Sequence, residues 1–208
     1  MEKKIGIMGG TFNPIHLGHL LLAEQAKEIL ELDEVLFMPS GNSYMKEPTA
    51  ILDGDVRAHM VELAIKGHPY FRLSKMETER SGSTYTCDTL KALKTENPRN
   101  TYYFILGADS LLMLENWKNP EQIFRDAVIV ASVRGTGNEE KIRKIAEHLT
   151  DTYQAQIRVL PARFIDLSSS EIRGRIKTGK SVRYMLPERV WEYIYDNHLY
   201  EIKSYGEN

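Results

Sequence analysis

The feature that most restricts the fold is an alternation: short apolar runs are separated by longer amphipathic stretches along most of the chain. Ile5–Met8, Val35–Met38, Phe71–Leu73, Tyr102–Leu106, Ala127–Val133 and Ile157–Leu160 read as strands. Helical spacing of apolar residues predicts helices over about Gly18–Leu32, Asp55–Lys66, Thr86–Thr95 and Glu139–Leu149. In the second of these, Val56, Met60, Leu63 and Ala64 carry the pattern, and residues 40–54 before it read as a loop. Two more helices close the chain, near Ser170–Lys177 and Pro187–Asn197, the latter with proline at its start. Strands that alternate with helices predict an α/β, Rossmann-like, doubly wound and mostly parallel sheet with helices on both faces. A small C-terminal helical part, about 168–200, completes a single domain over 1–208. Ligands of such sheets bind outside the carboxyl ends of the strands, at a topological switch point. The loops that follow strands are therefore where chemistry is expected.

Net charge over the 208 residues is −2, without the basic footprint of a nucleic-acid binder. One cysteine, Cys87, excludes an intramolecular disulfide and a Cys-rich zinc site and fits a reducing compartment. No apolar run has the length of a signal segment or a membrane span. The expectation is a cytoplasmic protein with no membrane and no nucleic-acid partner.

The loop after the first strand reads Gly9-Gly10-Thr11-Phe12-Asn13-Pro14-Ile15-His16-Leu17-Gly18-His19. Two glycines let backbone N–H groups approach an anion, and the following helix adds its positive end. Neither the P-loop nor the dinucleotide-binding fingerprint is present. An anion site with two imidazoles and no lysine suits stabilising a phosphoryl transition state. The plain alternative is a tight strand-to-helix turn with a histidine pair at a helix start. A zinc site would need further His or Cys ligands that no cluster offers.

A second candidate is Leu167-Ser168-Ser169-Ser170-Glu171-Ile172-Arg173, which opens a helix. Ser168 with Glu171 has capping-box spacing. The same helix start can bind phosphate through hydroxyls and N–H groups, with Arg173 adding charge-assisted bonds. The two roles coexist. Arg175, Lys177, Lys180 and Arg183 beyond it read as a solvated basic face.

The first string resembles the Gly-x-Phe-Asp-Pro-x-His-x-Gly-His signature of the nucleotidyltransferase superfamily. The second resembles its Ile-Ser-Ser-Thr-x-x-Arg element, with Ser170 in the Thr place. That resemblance implies that Gly9, Gly10, Thr11 and Phe12 bind ATP, and that His16 and His19 stabilise charge at its α- and β-phosphates. Ser168, Ser169, Ser170 and Arg173 would hold the β- and γ-phosphates. Asn13 stands where Asp is more usual; it keeps turn chemistry but removes a charge, so no catalytic role is assigned to it.

Between the two motifs, Ser83-Thr84-Tyr85-Thr86-Cys87-Asp88-Thr89-Leu90, Gly107-Ala108-Asp109, Trp117 and Arg134-Gly135 are similar to the bacterial nicotinate mononucleotide adenylyltransferase family. So is the closing Tyr184-Met185-Leu186-Pro187-Glu188 through Asn197-His198-Leu199-Tyr200, and the likeness covers nearly the whole chain. On residues alone, Asp109 reads rather as a helix cap and Trp117 as a half-buried surface aromatic. The resemblance implies that Trp117 stacks on a pyridine ring and that Thr86, with nearby N–H groups, receives a nicotinate carboxylate. It also puts Asp109 near adenosine, Arg134 near the nucleotide and Lys46 among the mononucleotide contacts. Two departures stand out: Ser43-Tyr44-Met45-Lys46 lacks the family's usual histidine, and Lys118 replaces a common aromatic.

The implied reaction is transfer of AMP from ATP to nicotinate mononucleotide, with Mg²⁺ held mainly by ATP phosphates. The alternatives are another acceptor (nicotinamide mononucleotide or phosphopantetheine), a cytidylyltransferase, or a non-catalytic nucleotide-binding module. A homo-oligomer is left open.

Overall fold

Six parallel strands form one sheet in the order β3-β2-β1-β4-β5-β6. The computed structural model describes residues 2–41, 51–132, 139–161 and 165–201. The strands are β1 (Lys4–Gly10), β2 (Glu34–Pro39), β3 (Phe71–Leu73), β4 (Thr101–Gly107), β5 (Val128–Ser132) and β6 (Ile157–Leu160). The helices are α1 (Leu17–Leu30), α2 (Gly54–Ile65), α3 (Thr86–Glu96), α4 (Ala108–Met113), α5 (Pro120–Asp126), α6 (Glu139–Tyr153), α7 (Ser169–Lys177) and α8 (Glu188–Asp196). The order reverses between β1 and β4, which run parallel from Lys4↔Thr101 to Met8↔Ile105. That junction is the switch point of a doubly wound sheet.

Successive side chains of a strand point to opposite faces, and the two hydrophobic cores follow that alternation. Met8, Val35, Phe37, Ile105 and Val130 face one core. Leu22, Ala23 and Ala26 of α1, Met60, Val61 and Ile65 of α2, Ile172 of α7, and Val190 and Ile194 of α8 close over it. Ile5, Ile7, Tyr102, Phe104, Leu106, Ile129 and Ala131 face the other, covered by residues of α3, α4, α5 and α6. The C-terminal helices thus share a core with α1 and α2.

The expected elements are all present, with three differences of extent. β1 runs on through the glycine pair, because Gly9 and Gly10 stay in register with Met38 and Pro39 of β2. The segment after β4 is helical at once, α4 starting at Ala108. In α2 the buried stripe is Arg57, Ala58, Met60, Val61 and Ile65, while Val56, Leu63 and Ala64 are half-buried. Val133 and most of the 40–54 loop lie outside the described residues.

Ile129 is fully buried in β5, whereas Ile29 of α1 is 47% exposed. Ile129→Ala should cost about 2–5 kcal/mol through lost transfer energy and a cavity. Ile29→Ala should stay within about 0.5 kcal/mol of the parent. Urea denaturation of both variants measures the contrast, and equal losses would contradict the two-core assignment.

Candidate active site

A cavity of about 900 Å³ opens at the carboxyl ends of β1 and β4, where the switch point lies. Gly9, Gly10, Thr11 and Phe12 from the first loop, His16 and His19 from the start of α1, and Asp109 from α4 all line it. Ser169, Ser170 and Arg173 of α7, with Thr86 of α3 and Trp117, complete the set that the sequence singled out. Ser168 does not line the cavity; its Oγ is the N-cap of α7, accepting from the Glu171 N–H at 3.1 Å. Lys46 and Arg134 lie outside the described residues.

The two imidazoles form one unit. Their rings stack with centroids 3.6 Å apart and 24° between planes. The His16 N–H donates to His19 Nδ1 at 3.2 Å, so one histidine side chain satisfies a backbone donor at the helix start. With Nδ1 accepting, a neutral His19 carries its proton on Nε2, which is then a donor. Phe12 meets His19 edge-on at 5.0 Å and 83°, and it is buried in the left-handed region at φ 49°. Such a backbone costs an aromatic residue about 1–2 kcal/mol and persists only where its surroundings fix it. Gly18 is closely packed: a Cβ there would sit 3.1 Å from His16 Nδ1 and 3.4 Å from the Ile165 carbonyl oxygen, pressing on the imidazole.

The second element is bonded directly to the first. Ser169 Oγ donates to the Pro14 carbonyl at 2.8 Å, and Arg173 Nη1 to the Asn13 carbonyl at 2.8 Å. Arg173 Nη2 donates to Ser170 Oγ at 3.2 Å. Residues some 155 to 160 positions apart are thereby held on one rim of the cavity. The N-terminal end of a nine-residue helix and a guanidinium on that rim form an anion-attracting edge.

Also on the cavity, Thr86 opens α3 and Trp117 leans edge-on against Phe104, centroids 6.1 Å apart. Lys118 lies 3.7 Å over the Tyr85 ring and pairs with Asp88 at 3.5 Å. The lysine that departs from the family pattern therefore steadies the start of α3. Trp117 Nε1, Ser40 Oγ and Ser132 Oγ are buried on this cavity and have no hydrogen-bond partner among the described residues. Buried polar groups left so are expensive unless a ligand or water meets them. Ser40 follows β2 and Ser132 ends β5, and neither was singled out in the sequence.

Beside the start of α3, the half-buried Glu77 carboxylate accepts from Thr89 Oγ1 at 2.9 Å, with the Gly41 N–H, Arg80 and the Thr84 hydroxyl around it. A Cβ at Gly41 would strike the Glu77 carbonyl and the Thr84 methyl, so only glycine fits there. Sequence reasoning also passed over Arg57 and Tyr200. Arg57, at the head of the buried stripe of α2, was the one available signal.

The switch-point fold and the paired anion-attracting elements define the class first: a nucleotide-binding α/β protein built for phosphate chemistry. Residues 7–175 match the family model described as cytidylyltransferase-like. A protein of Lachnoclostridium phytofermentans named "Probable nicotinate-nucleotide adenylyltransferase" is 43% identical over 198 residues, 95% of this chain and 99% of that one. One of the same name from Lactiplantibacillus plantarum is 40% identical over 200 residues, 96% of this chain and 89% of its own. The chain belongs to the nicotinate-nucleotide adenylyltransferase family. Its fold is shared with Plasmodium falciparum nicotinic acid mononucleotide adenylyltransferase complexed with NaAD, at TM-score 0.79 and 22% identity, over 96% of this chain and 98% of that one.

Burial, the largest influence on Glu77, raises its carboxyl above the ordinary value of 4.5, against smaller lowering contributions from Thr89, Gly41, Arg80 and Thr84. Between the unfolded and folded values the native state holds a proton that the unfolded chain has lost. Stability therefore falls as pH rises through that window, and the cost is fully present above it. Glu77→Gln removes this titration but keeps an acceptor for Thr89. The thermal midpoint of the variant relative to the parent should rise as pH goes from below about 4.5 to neutral. A difference that does not change with pH would contradict the assignment.

Proposed function

We infer that this protein transfers AMP from ATP to nicotinate mononucleotide, giving nicotinate adenine dinucleotide and pyrophosphate in NAD biosynthesis. The single observation that carries the reading is the bonded pair of anion-attracting elements, the first loop and the start of α7, on one rim of a cavity whose other end holds Thr86 and Trp117.

A phosphate oxygen of the mononucleotide attacks the α-phosphorus of ATP in line. A new P–O bond forms as the bond to the α,β-bridging oxygen breaks, and pyrophosphate leaves with that electron pair. Both reactants arrive ready, so the protein supplies position and electrostatic stabilisation rather than a covalent intermediate. We assign His19 Nε2 and the stacked His16 to the α- and β-phosphate oxygens, where charge builds. Ser169, Ser170 and Arg173 hold the β- and γ-phosphates, and Ser168 serves them by capping the helix. Gly9, Gly10, Thr11 and Phe12 form the floor beneath the phosphates. Asp109, at the carboxyl end of β4, suits a ribose hydroxyl. Trp117 offers a face for the pyridine ring and the start of α3, at Thr86, offers N–H donors for the nicotinate carboxylate. Lys46 and Arg134 keep the nucleotide-contact roles that the resemblance implies.

Among the described residues no group of three or more His, Cys, Asp or Glu could cage a metal. Mg²⁺ carried on triphosphate oxygens and waters needs no such cage, and would supply charge neutralisation there. No helix among the described residues is long and apolar enough to cross a membrane. We place the reaction in the cytoplasm, with α7 and α8 as part of one transferase domain, since α7 bears half of the phosphate site.

His19→Ala should lower kcat by about 10²–10³-fold, with the KM for nicotinate mononucleotide changed little; a full-speed variant would contradict the charge-stabilising role. Trp117→Ala should instead raise that KM. Supplying ATP with nicotinate or nicotinamide mononucleotide in turn, and measuring dinucleotide and pyrophosphate, tests the acceptor. Faster turnover of the acid is expected; equal rates would overturn the preference, and no product from either would overturn the function.

A further inference from the structure

The first loop is held from two sides. On the cavity side Arg173 and Ser169 donate to the Asn13 and Pro14 carbonyls. On the outer side stand two residues that do not line the cavity, Arg57 and Tyr200. Arg57 is 4% exposed; its Nη1 donates to the Thr11 carbonyl and its Nε to the Leu52 carbonyl, each at 2.8 Å. Tyr200 lies beyond α8, where left-handed residues His198 (φ 50°) and Tyr200 (φ 68°) bend the chain back. Its hydroxyl donates to Asn13 Oδ1 at 2.9 Å, and the Leu52 N–H donates to the same oxygen at 3.3 Å.

We propose that Arg57 and Tyr200 are positioning residues for the transfer step, fixing residues 11–14 from outside so that His16 and His19 stay registered on the reacting phosphates. This rests on the adenylyl-transfer reading above. The argument is one of polarity. A loop that presents N–H groups to a triphosphate has to keep its carbonyl oxygens otherwise engaged, since they would repel the anion. Here the carbonyls of Thr11, Asn13 and Pro14 are each engaged by a side chain from α2 or α7.

The loop also contains Phe12 at φ 49°, and the Phe12 ring is the one that abuts His19. A turn strained in this way relaxes if its outer bonds are removed, and the imidazoles of His16 and His19 just beyond it would move with it. Burying a guanidinium is costly unless its donors are well placed, and two charge-assisted bonds in a fork meet that condition. Burial lowers the affinity of Arg57 for its proton, opposed by Asp53, and raises the Tyr200 phenol well above its ordinary value. The raised phenol keeps its proton near neutral pH, and a guanidinium stays protonated in proteins despite that lowering.

Tyr200→Phe removes one hydroxyl and no ring, so the variant should fold. Arg57→Lys keeps a charge but loses the planar fork that spans Thr11 and Leu52. Initial rates with ATP and nicotinate mononucleotide, thermal midpoints, and the imidazole proton resonances of His16 and His19 without substrate are measured for both. In Tyr200→Phe, kcat should fall about tenfold, the loss expected of a sub-ångström misplacement. Both KM values should stay within about twofold in this variant, because the substrates' own contacts are left in place. Arg57→Lys should lose more, and both variants should shift the two imidazole resonances. An unchanged kcat in Tyr200→Phe, or a loss that follows the folded fraction alone, overturns the proposal. Unshifted His16 and His19 resonances overturn it as well, whether or not the parent makes dinucleotide. A parent that makes none sinks the functional reading separately.

Discussion

The site depends above all on the pair of hydrogen bonds that tie the start of α7 to the first loop, Arg173 to the Asn13 carbonyl and Ser169 to the Pro14 carbonyl. Without them the loop would be a strained turn after one strand and α7 an ordinary capped helix. With them, two imidazoles and the positive end of a helix face one volume. Each bond has a charged or hydroxyl donor and is partly buried, so its loss would leave a carbonyl unsatisfied beside the cavity. The sheet makes the contact possible, because its order reverses between β1 and β4 and opens a crevice beneath the loop.

The same economy governs the imidazoles. His19 accepts from the His16 N–H, stacks on its ring and packs edge-on to Phe12, so backbone capping, ring orientation and proton placement come from one arrangement. A Cβ at Gly18 would press on the His16 ring. Among the described residues, Ser40 Oγ, Ser132 Oγ and Trp117 Nε1 are buried on the cavity without hydrogen-bond partners.

Much of this was legible in the sequence, and for a physical reason. Period and length report burial on one face or two, so all six strands and the longer helices could be read from Ile5–Met8 onward. Ordered motifs report local turns and carried the family resemblance, which is why His16, His19, Ser169, Ser170 and Arg173 could be singled out; the structure brings them to one cavity. Long-range hydrogen bonds have no such signature. Nothing in the order of residues says that Tyr200 reaches Asn13 across 187 positions, or that Glu77 organises Gly41, Thr84 and Thr89. Ser168 was read for both capping and phosphate; its hydroxyl caps the helix, accepting from the Glu171 N–H. Arg57 gave a faint sign, as a charge at the head of an apolar stripe, and the stripe itself lay one residue round from the expected face.

The account's central claim is that the first loop and the start of α7 act as two halves of one triphosphate clamp. A crystal structure with the slow analogue α,β-methylene ATP tests it most directly. The account predicts the β- and γ-phosphates against Ser169, Ser170 and Arg173, with an α-phosphate oxygen about 3 Å from His19 Nε2. A triphosphate lying away from either element, with the adenosine still in the cavity, would contradict it.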